Sequence, residues 1–334
     1  MIELKASALV FTFPEVHASA RLEIDFQRTL RIPDDGKEHH LPPGLGRFPL
    51  RHVDDFAQGV PPAWVEHGGV MLPMYQSEAL WICFDADDYP FAVRIATSKI
   101  DAVTGKTWKD GIGRKPQNYL SIPRQPWLDG YCVEKGVIRQ FVAMPLGAGY
   151  TAEEQLTGKA EHGGIQILVH PMKAEAYERM LKKRARPQRG GIYPDMVVAC
   201  MSDSSMGLAP GGKMRQEICE DPHSLEDWDL AHASRCFVHI ANSLVWQSIT
   251  GAPPPTPPPT AAAYTKAGLP WFDLYAGDAK ALEGSKTLAG LKSVKEMGKK
   301  KGQVPLPENE SVNGEVVVAL RKGLGKHQVR EGAI

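Results

Sequence analysis

A chain of 334 residues with 43% hydrophobic content is long enough to bury a large core without disulfide or metal staples. Lysine plus arginine and aspartate plus glutamate number 39 each, which removes the global positive field of a nucleic-acid binder, so no nucleic-acid partner is predicted. Five cysteines, Cys83, Cys132, Cys200, Cys219 and Cys236, are scattered and odd in number, indicating reduced thiols rather than a disulfide framework or a paired-cysteine zinc ribbon.

The opening MIELKASALVFTF lacks a cationic lead into an apolar stretch with a cleavage site, and no apolar run is long enough to span a bilayer. The expectation is a cytoplasmic protein without membrane contact. Extended segments follow in order at 4–13, 20–32, 91–97, 132–144 and 164–170, mixing apolar and polar residues in partial alternation. Leu22, Ile24, Phe26 and Leu30 share a parity, as one buried strand face would. Proline and glycine clusters at 41–49 and 59–64 predict long structured loops rather than tight hairpins.

In the second half, MKAEAYERMLKKRAR (172–186) has helical spacing and a basic end that suits a helix C-terminus, with Pro187 as its stop. Ser224 opens a short capped segment, SLED, and 236–251 reads as a strand passing into a helix that Gly251 ends. APPPTPPPTAAAY has too many prolines for a helix or central strand and reads as a semi-rigid polyproline spacer. LPWFDLY beyond it is apolar enough to dock as a strap. The lysine- and glycine-rich remainder, MGKKKGQ included, reads as mobile or peripheral. Residues 279–334 hold 11 basic and 6 acidic residues, leaving 28 basic against 33 acidic in the rest.

These signals predict an α+β fold with a predominantly antiparallel, sandwich-like β body and a few helices in the second half. The expected organisation is a β-rich region at 1–171, a mixed region at 172–251 packed on it, the spacer at 252–263, and a strap with a basic tail at 264–334.

Several stretches suggest chemistry. LGAGYTAEEQ resembles a phosphate loop, but Glu153 and Glu154 oppose an anion, and Thr151 with Glu154 forms a T-x-x-E capping box. DAVTGKTW ends like a Walker loop, yet Ile100 stands where its first glycine belongs, so Thr104 and Gly105 read as a turn. DADDY lacks the spacing of an EF-hand, leaving Asp85 or Asp87 as magnesium ligands against a solvated turn. His39, His40, His52, Asp54 and Asp55 are dense but lack zinc-site spacing, and His162, His170, His223, His232 and His239 are dispersed. The acids of 220–232 fit helix-end electrostatics better than acid–base catalysis. Cys132, Ser204 and Ser205 lie in no nucleophile motif, and LAPGGKMRQ reads as a flexible loop whose Gly211, Gly212 and Lys213 offer at most an anion contact.

Two functions remain open. A noncatalytic binding or assembly protein would contact an unknown protein partner through its loops and C-terminal tail, with Tyr119, Arg124, Trp127 and Tyr131 as the aromatic and basic recognition group. A hydrolase of unrecognised class would assemble His52, Asp85, Asp87, His223 and Asp227, with or without metal. No cofactor is predicted, and the residues carry no complete catalytic signature.

Overall fold

The computed structural model describes residues 1–183, 205–274, 280–303, 311–312 and 316–320. In chain order its first strands are β1 (Ile2–Lys5), β2 (Ala8–Thr12), β3 (Arg21–Thr29), β4 (Glu38–His39), β5 (Gly44–Arg47), β6 (Arg51–His52), β7 (Val70–Met74), β8 (Ala79–Asp85), β9 (Phe91–Thr97) and β10 (Ile100–Asp101). They continue as β11 (Leu120–Ile122), β12 (Trp127–Leu128), β13 (Gly130–Glu134), β14 (Val137–Pro145), β15 (Ile165–Pro171), β16 (Ser205–Arg215), β17 (Ser234–Asn242), β18 (Pro270–Leu274) and β19 (Val316–Leu320). The helices are α1 (Pro62–His67), α2 (Ala152–Thr157), α3 (Ala174–Lys183), α4 (Ser243–Thr250), α5 (Ala261–Lys266), α6 (Lys286–Ala289) and α7 (Val294–Lys300).

Among the described residues, β1 to β17 form one hydrogen-bonded sheet, and β18 pairs with β19. The main run of antiparallel neighbours is β1-β2-β3-β8-β14-β16-β17-β15-β9, while β4 and β7 join β16 and β17 in parallel. The protein is thus α+β with a mostly antiparallel body. The shared parity in β3 is a buried face: Leu22, Ile24 and Phe26 are fully enclosed, with Phe11 of β2 opposite Leu22, and Phe84 and Ile82 of β8 opposite Ile24 and Phe26. One apolar core draws side chains from Leu9 through Val312.

Local chemistry fixes the helix ends. Thr151 and Glu154 form a complete capping box at α2, and Ser224 with Asp227 forms one at a single 3-10 turn, Leu225–Asp227. Asn242 caps α4, and Gly251 ends it at φ 71°, where a residue with a side chain is strained.

Several segments differ from expectation, among them residues 132–144, which the turn at Gly136 divides into the paired strands β13 and β14. Residues 4–13 are not one strand, because Ala6 and Ser7 adopt positive φ (47° and 60°) and turn the chain into the β1–β2 hairpin. LAPGG is not a flexible loop but the middle of β16, where Pro210 sits at a register shift opposite β14. Gly212 is required there, since a Cβ would lie 2.5 Å from the Pro33 carbonyl oxygen. Residues 294–300 form a helix with a capping box, Ser293 and Glu296, and bury Val294 and Met297.

The proline-rich stretch touches the body through its carbonyl groups. Pro255 O accepts from the Tyr75 hydroxyl (3.0 Å), Thr256 O accepts from Arg28 Nη2 (2.7 Å), and Pro257 is buried. Further on, Leu41 and Phe272 exchange two backbone bonds of 2.9 Å, and Trp271 is fully buried. Arg28 is held by Glu78, with Nε 2.7 Å from Oε1, and Tyr75 N donates to Glu78 Oε2 at 2.9 Å. Both side chains are at most 2% exposed, and burial raises the Glu78 carboxyl against the opposing pull of Arg28.

Breaking such a pair leaves a buried charge uncompensated. Glu78→Gln is expected to lower unfolding free energy in urea by about 3–5 kcal/mol, and the double variant Arg28→Met with Glu78→Leu to recover most of that loss. Equal destabilisation by single and double variants would contradict a desolvated ion pair.

Candidate anion site

Strand β3 ends at Thr29, but the chain runs on beside β14 because one side chain supplies the missing rungs. The fully buried Gln140 accepts from Ile32 N (2.7 Å) and donates to Leu30 O (2.9 Å). This clasp carries residues 34–36 along the sheet to a position next to Arg139. Lys213 enters from β16, and α7 closes the other side with Lys295, Glu296 and Lys299, its Lys295 amide donating to Asp34 Oδ2 at 3.0 Å. Together with Asp34, Asp35 and Gly36 these residues line a half-open cavity of about 190 Å³.

Asp34 and Glu296 are engaged by other groups, and Asp35 is held through Oδ1 while its Oδ2 is buried without a hydrogen-bond partner. Asp35 Oδ1 accepts from the Lys37 amide and lies 3.0 Å from His39 Nε2. Burial is the largest influence on the Asp35 carboxyl and pushes it upward, but bonds from His39, the Lys37 amide and Ser311 outweigh it and leave it below the usual range. Glu296 accepts from Ser293 N at 2.6 Å, and it too is lowered, burial being outweighed by the Ser293 bonds and the Arg139 charge. Both carboxyls are therefore anionic at neutral pH.

The basic groups are less well matched. Lys213 pairs with Glu134 at 2.7 Å, but Lys295 and Lys299 make no side-chain ion pair or hydrogen bond to a described residue. Arg139 has only a long bond from Nη1 to Gly211 O (3.4 Å) and an approach of Nη2 to Glu296 of 3.8 Å, beyond hydrogen-bond reach. Its Nε is buried with no partner. A guanidinium built to donate five hydrogen bonds lines this cavity with most of them unused. The arrangement can bind a small anion through side chains, while the first-turn amides of α7 are engaged by Ser293 and Asp34.

Comparison with known protein families, with curated proteins and with solved structures finds no match.

The residues singled out from sequence lie elsewhere. Tyr119 and Tyr131 are fully buried, Trp127 is half-buried and Arg124 is exposed. Tyr119 donates to Asp221 (2.5 Å), which also accepts from Trp228 Nε1 (3.0 Å), whereas the Tyr131 hydroxyl meets Thr97 and Leu208 O. His52 is exposed on β6, Asp85 ends β8, Asp87 sits in the following turn at φ 44°, and His223 and Asp227 flank the Ser224 cap. Asp227 also pairs with Arg179 at 3.0 Å. Among the described residues no three His, Cys, Asp or Glu side chains are placed to hold a metal ion.

His162 and His239 do converge with His67, at ring separations of 6.2 and 6.3 Å from it. Burial holds His239 down to about 4, while its Nε2 lies 3.0 Å from Gly68 O and its ring stacks on Trp64. Glu154 accepts from the Gly149 and Thr151 amides at 2.7 and 3.0 Å, so the glycine-rich turn is capped and offers those amides to no phosphate. Asp101 similarly gathers Val103 N, Thr104 N and Thr104 Oγ1 on one oxygen, folding DAVTG into a turn. Cys132 is buried with its thiol pushed up to about 12, Ser205 belongs to β16, and Cys200 and Ser204 lie outside the described residues.

A second unusual group is Asp129, 1% exposed. Its Oδ2 accepts from Trp127 Nε1 and Gln216 Nε2, both at 2.6 Å, while Oδ1 is buried without a partner. Burial pushes this carboxyl up to about 7 against the Trp127 bond. The folded protein then keeps a proton that the unfolded chain releases near 3.8, so stability falls as pH rises between those values and levels off above them. Asp129→Asn is expected to remove a difference between pH 5 and pH 8 on the order of 3 kcal/mol at most, measured as unfolding free energy against the parent. An unchanged slope would mean Asp129 is ionised at neutral pH.

Proposed function

We propose that this is a binding protein that holds a small anion at the joint between its β body and its C-terminal segment. The observation carrying this reading is Arg139, a largely enclosed guanidinium whose nearest carboxylate is 3.8 Å away in a cavity that also receives Lys295 and Lys299. The cavity, at about 190 Å³, falls below the roughly 300–1,000 Å³ of drug-sized ligand sites, which suits a phosphate, a carboxylate or one charged end of a larger partner. The 34–36 loop and α7 of the basic C-terminal segment join β14 and β16 in its walls, the materials of a partner-contact surface. Titration calorimetry with inorganic phosphate against matched chloride is expected to give saturable binding that Arg139→Gln weakens by about tenfold or more, the loss of one charge-assisted contact. Absence of binding, or equal binding by the variant, would sink the proposal.

A second reading, a hydrolase, is favoured by one observation only: the orphaned Oδ1 of Asp129, which places a potential proton donor in a water-poor setting. It predicts turnover of p-nitrophenyl esters or glycosides with a pH limb near 7 that Asp129→Asn abolishes. No turnover with either substrate class would dismiss it.

A further inference from the structure

We infer that the anion is a phosphate-type dianion, free or as a monoester, and that its binding clamps α7 onto the β body. This rests on the anion-binding reading above and assigns that site a ligand class and a consequence.

The two walls of the cavity belong to different parts of the chain. Arg139 and Lys213 stand on β14 and β16, while Lys295 and Lys299 stand on α7. Asp34, Asp35 and Glu296 line the same space, so four cations meet three carboxylates there, and an anion held between the walls would draw the cations of both toward it. Glu296 serves that purpose only in part: its carboxylate accepts from Ser293 N and lies 3.8 Å from Arg139, whose charge helps to lower it. A tetrahedral dianion presents oxygens to both walls at once, whereas a planar monocarboxylate presents two oxygens in one plane and half the charge. The fork of Arg139 suits either geometry, but the cations divided between two walls favour the dianion.

The rest of the α7 attachment is small enough for a ligand to govern. Val294 and Met297 contribute its buried apolar contact, against a patch comprising Ala79, Val142, Met144, Tyr150 and Ala209. At one end Gln155 bonds Lys292 in both directions (2.9 and 2.8 Å), and at the other Gln303 meets the Tyr150 hydroxyl. The preceding helix is anchored separately, with Leu288 fully buried and Ser285 Oγ bonded to Thr104 O at 2.6 Å. Residues 292–303 can therefore release while α6 stays in place, a local opening of the kind that hydrogen exchange detects.

The test is hydrogen exchange of the full-length protein, followed on peptides from 292–303, with inorganic phosphate, methyl phosphate or acetate at matched ionic strength, beside calorimetry of the same ligands. At ten times the dissociation constant a ligand that binds only the docked state slows exchange about elevenfold. Slowing by phosphate and methyl phosphate but not acetate supports the clamp with a monoester as ligand, and slowing by phosphate alone supports it with the free ion. Lys299→Gln and Lys295→Gln are expected to reduce that protection while amides of the β body exchange as before. Calorimetric binding of phosphate without slower exchange overturns the clamp but leaves anion binding intact. Equal protection by acetate overturns the dianion, and no binding by any ligand removes the underlying reading as well.

Discussion

A buried glutamine amide standing in for a neighbouring strand is the interaction on which this structure most depends. Each such amide offers a donor and an acceptor to a backbone that would otherwise be stranded without partners. Gln140 does this for Leu30 and Ile32, Gln125 for Cys219 N and Trp127 O, and Gln117 for Tyr119 O, Cys219 O and Asp221 N. Gln216 serves Asp129 N, and Gln166 serves Ser98 O. These substitutions let irregular chain run beside the sheet with its polar groups satisfied, which is how proline-rich and glycine-rich segments become ordered walls. The candidate site is a direct product of one of them, because the clasp made by Gln140 sets residues 34–36 beside its own chain neighbour, Arg139.

Arg94, Arg28 and Arg139 are enclosed to different effect. Arg94 is held by Asp101 at 2.9 Å, by the carbonyls of Lys109 and Gly111, and by the face of Trp108 at 4.0 Å. Arg28 has Glu78 and Thr256 O. Each balances the loss of water with a carboxylate at contact distance and carbonyl oxygens, as a structural charge must. Arg139 has neither at good distance, although Arg28, whose Nη1 is likewise buried without a partner, and Arg94 each have a carboxylate in contact. That contrast, rather than the presence of positive charge, separates a binding group from a folding group here.

Much of the scaffold is legible in the residues. The parity of Leu22, Ile24 and Phe26, the Thr151–Glu154 box and Gly251 beyond α4 are local signals, and each acts over a few residues with little help from the remainder of the fold. The β1–β2 turn is hidden because Ala6 and Ser7 carry no turn preference of their own, and hairpin pairing imposes the left-handed conformation on them. LAPGG looks like a loop because its glycines are read as freedom, whereas in β16 they are read by close neighbours such as Pro33 O and Gln140 O. The last helix had a signal that composition obscured: Leu288, Leu291, Val294 and Met297 recur every three residues, and Ser293 with Glu296 makes an S-x-x-E box among the lysines. Arg139 carries no local mark. It reads as one polar position in a strand, and only the arrival of residues 34–36, Lys213 and α7 from remote parts of the chain makes it a site.

Charge acts on two length scales in that assembly. Residues 279–334 carry 11 basic and 6 acidic residues while the rest carries 28 against 33, so overall attraction favours bringing the terminal segment to the body. At physiological salt that attraction is screened over about 8 Å, which makes it a guide for approach rather than a fastening. Inside the cavity the balance is finer, because Arg139, Lys213, Lys295 and Lys299 share one space with Asp34, Asp35 and Glu296, four cations against three carboxylates. One cation is left in excess at this spot, while the segment as a whole is complementary to its support. A mobile counterion offsets that excess only weakly, whereas an anion fixed between the walls acts on both of them. The geometry thus makes a held anion, contacted from both sides, the arrangement that reconciles the two scales.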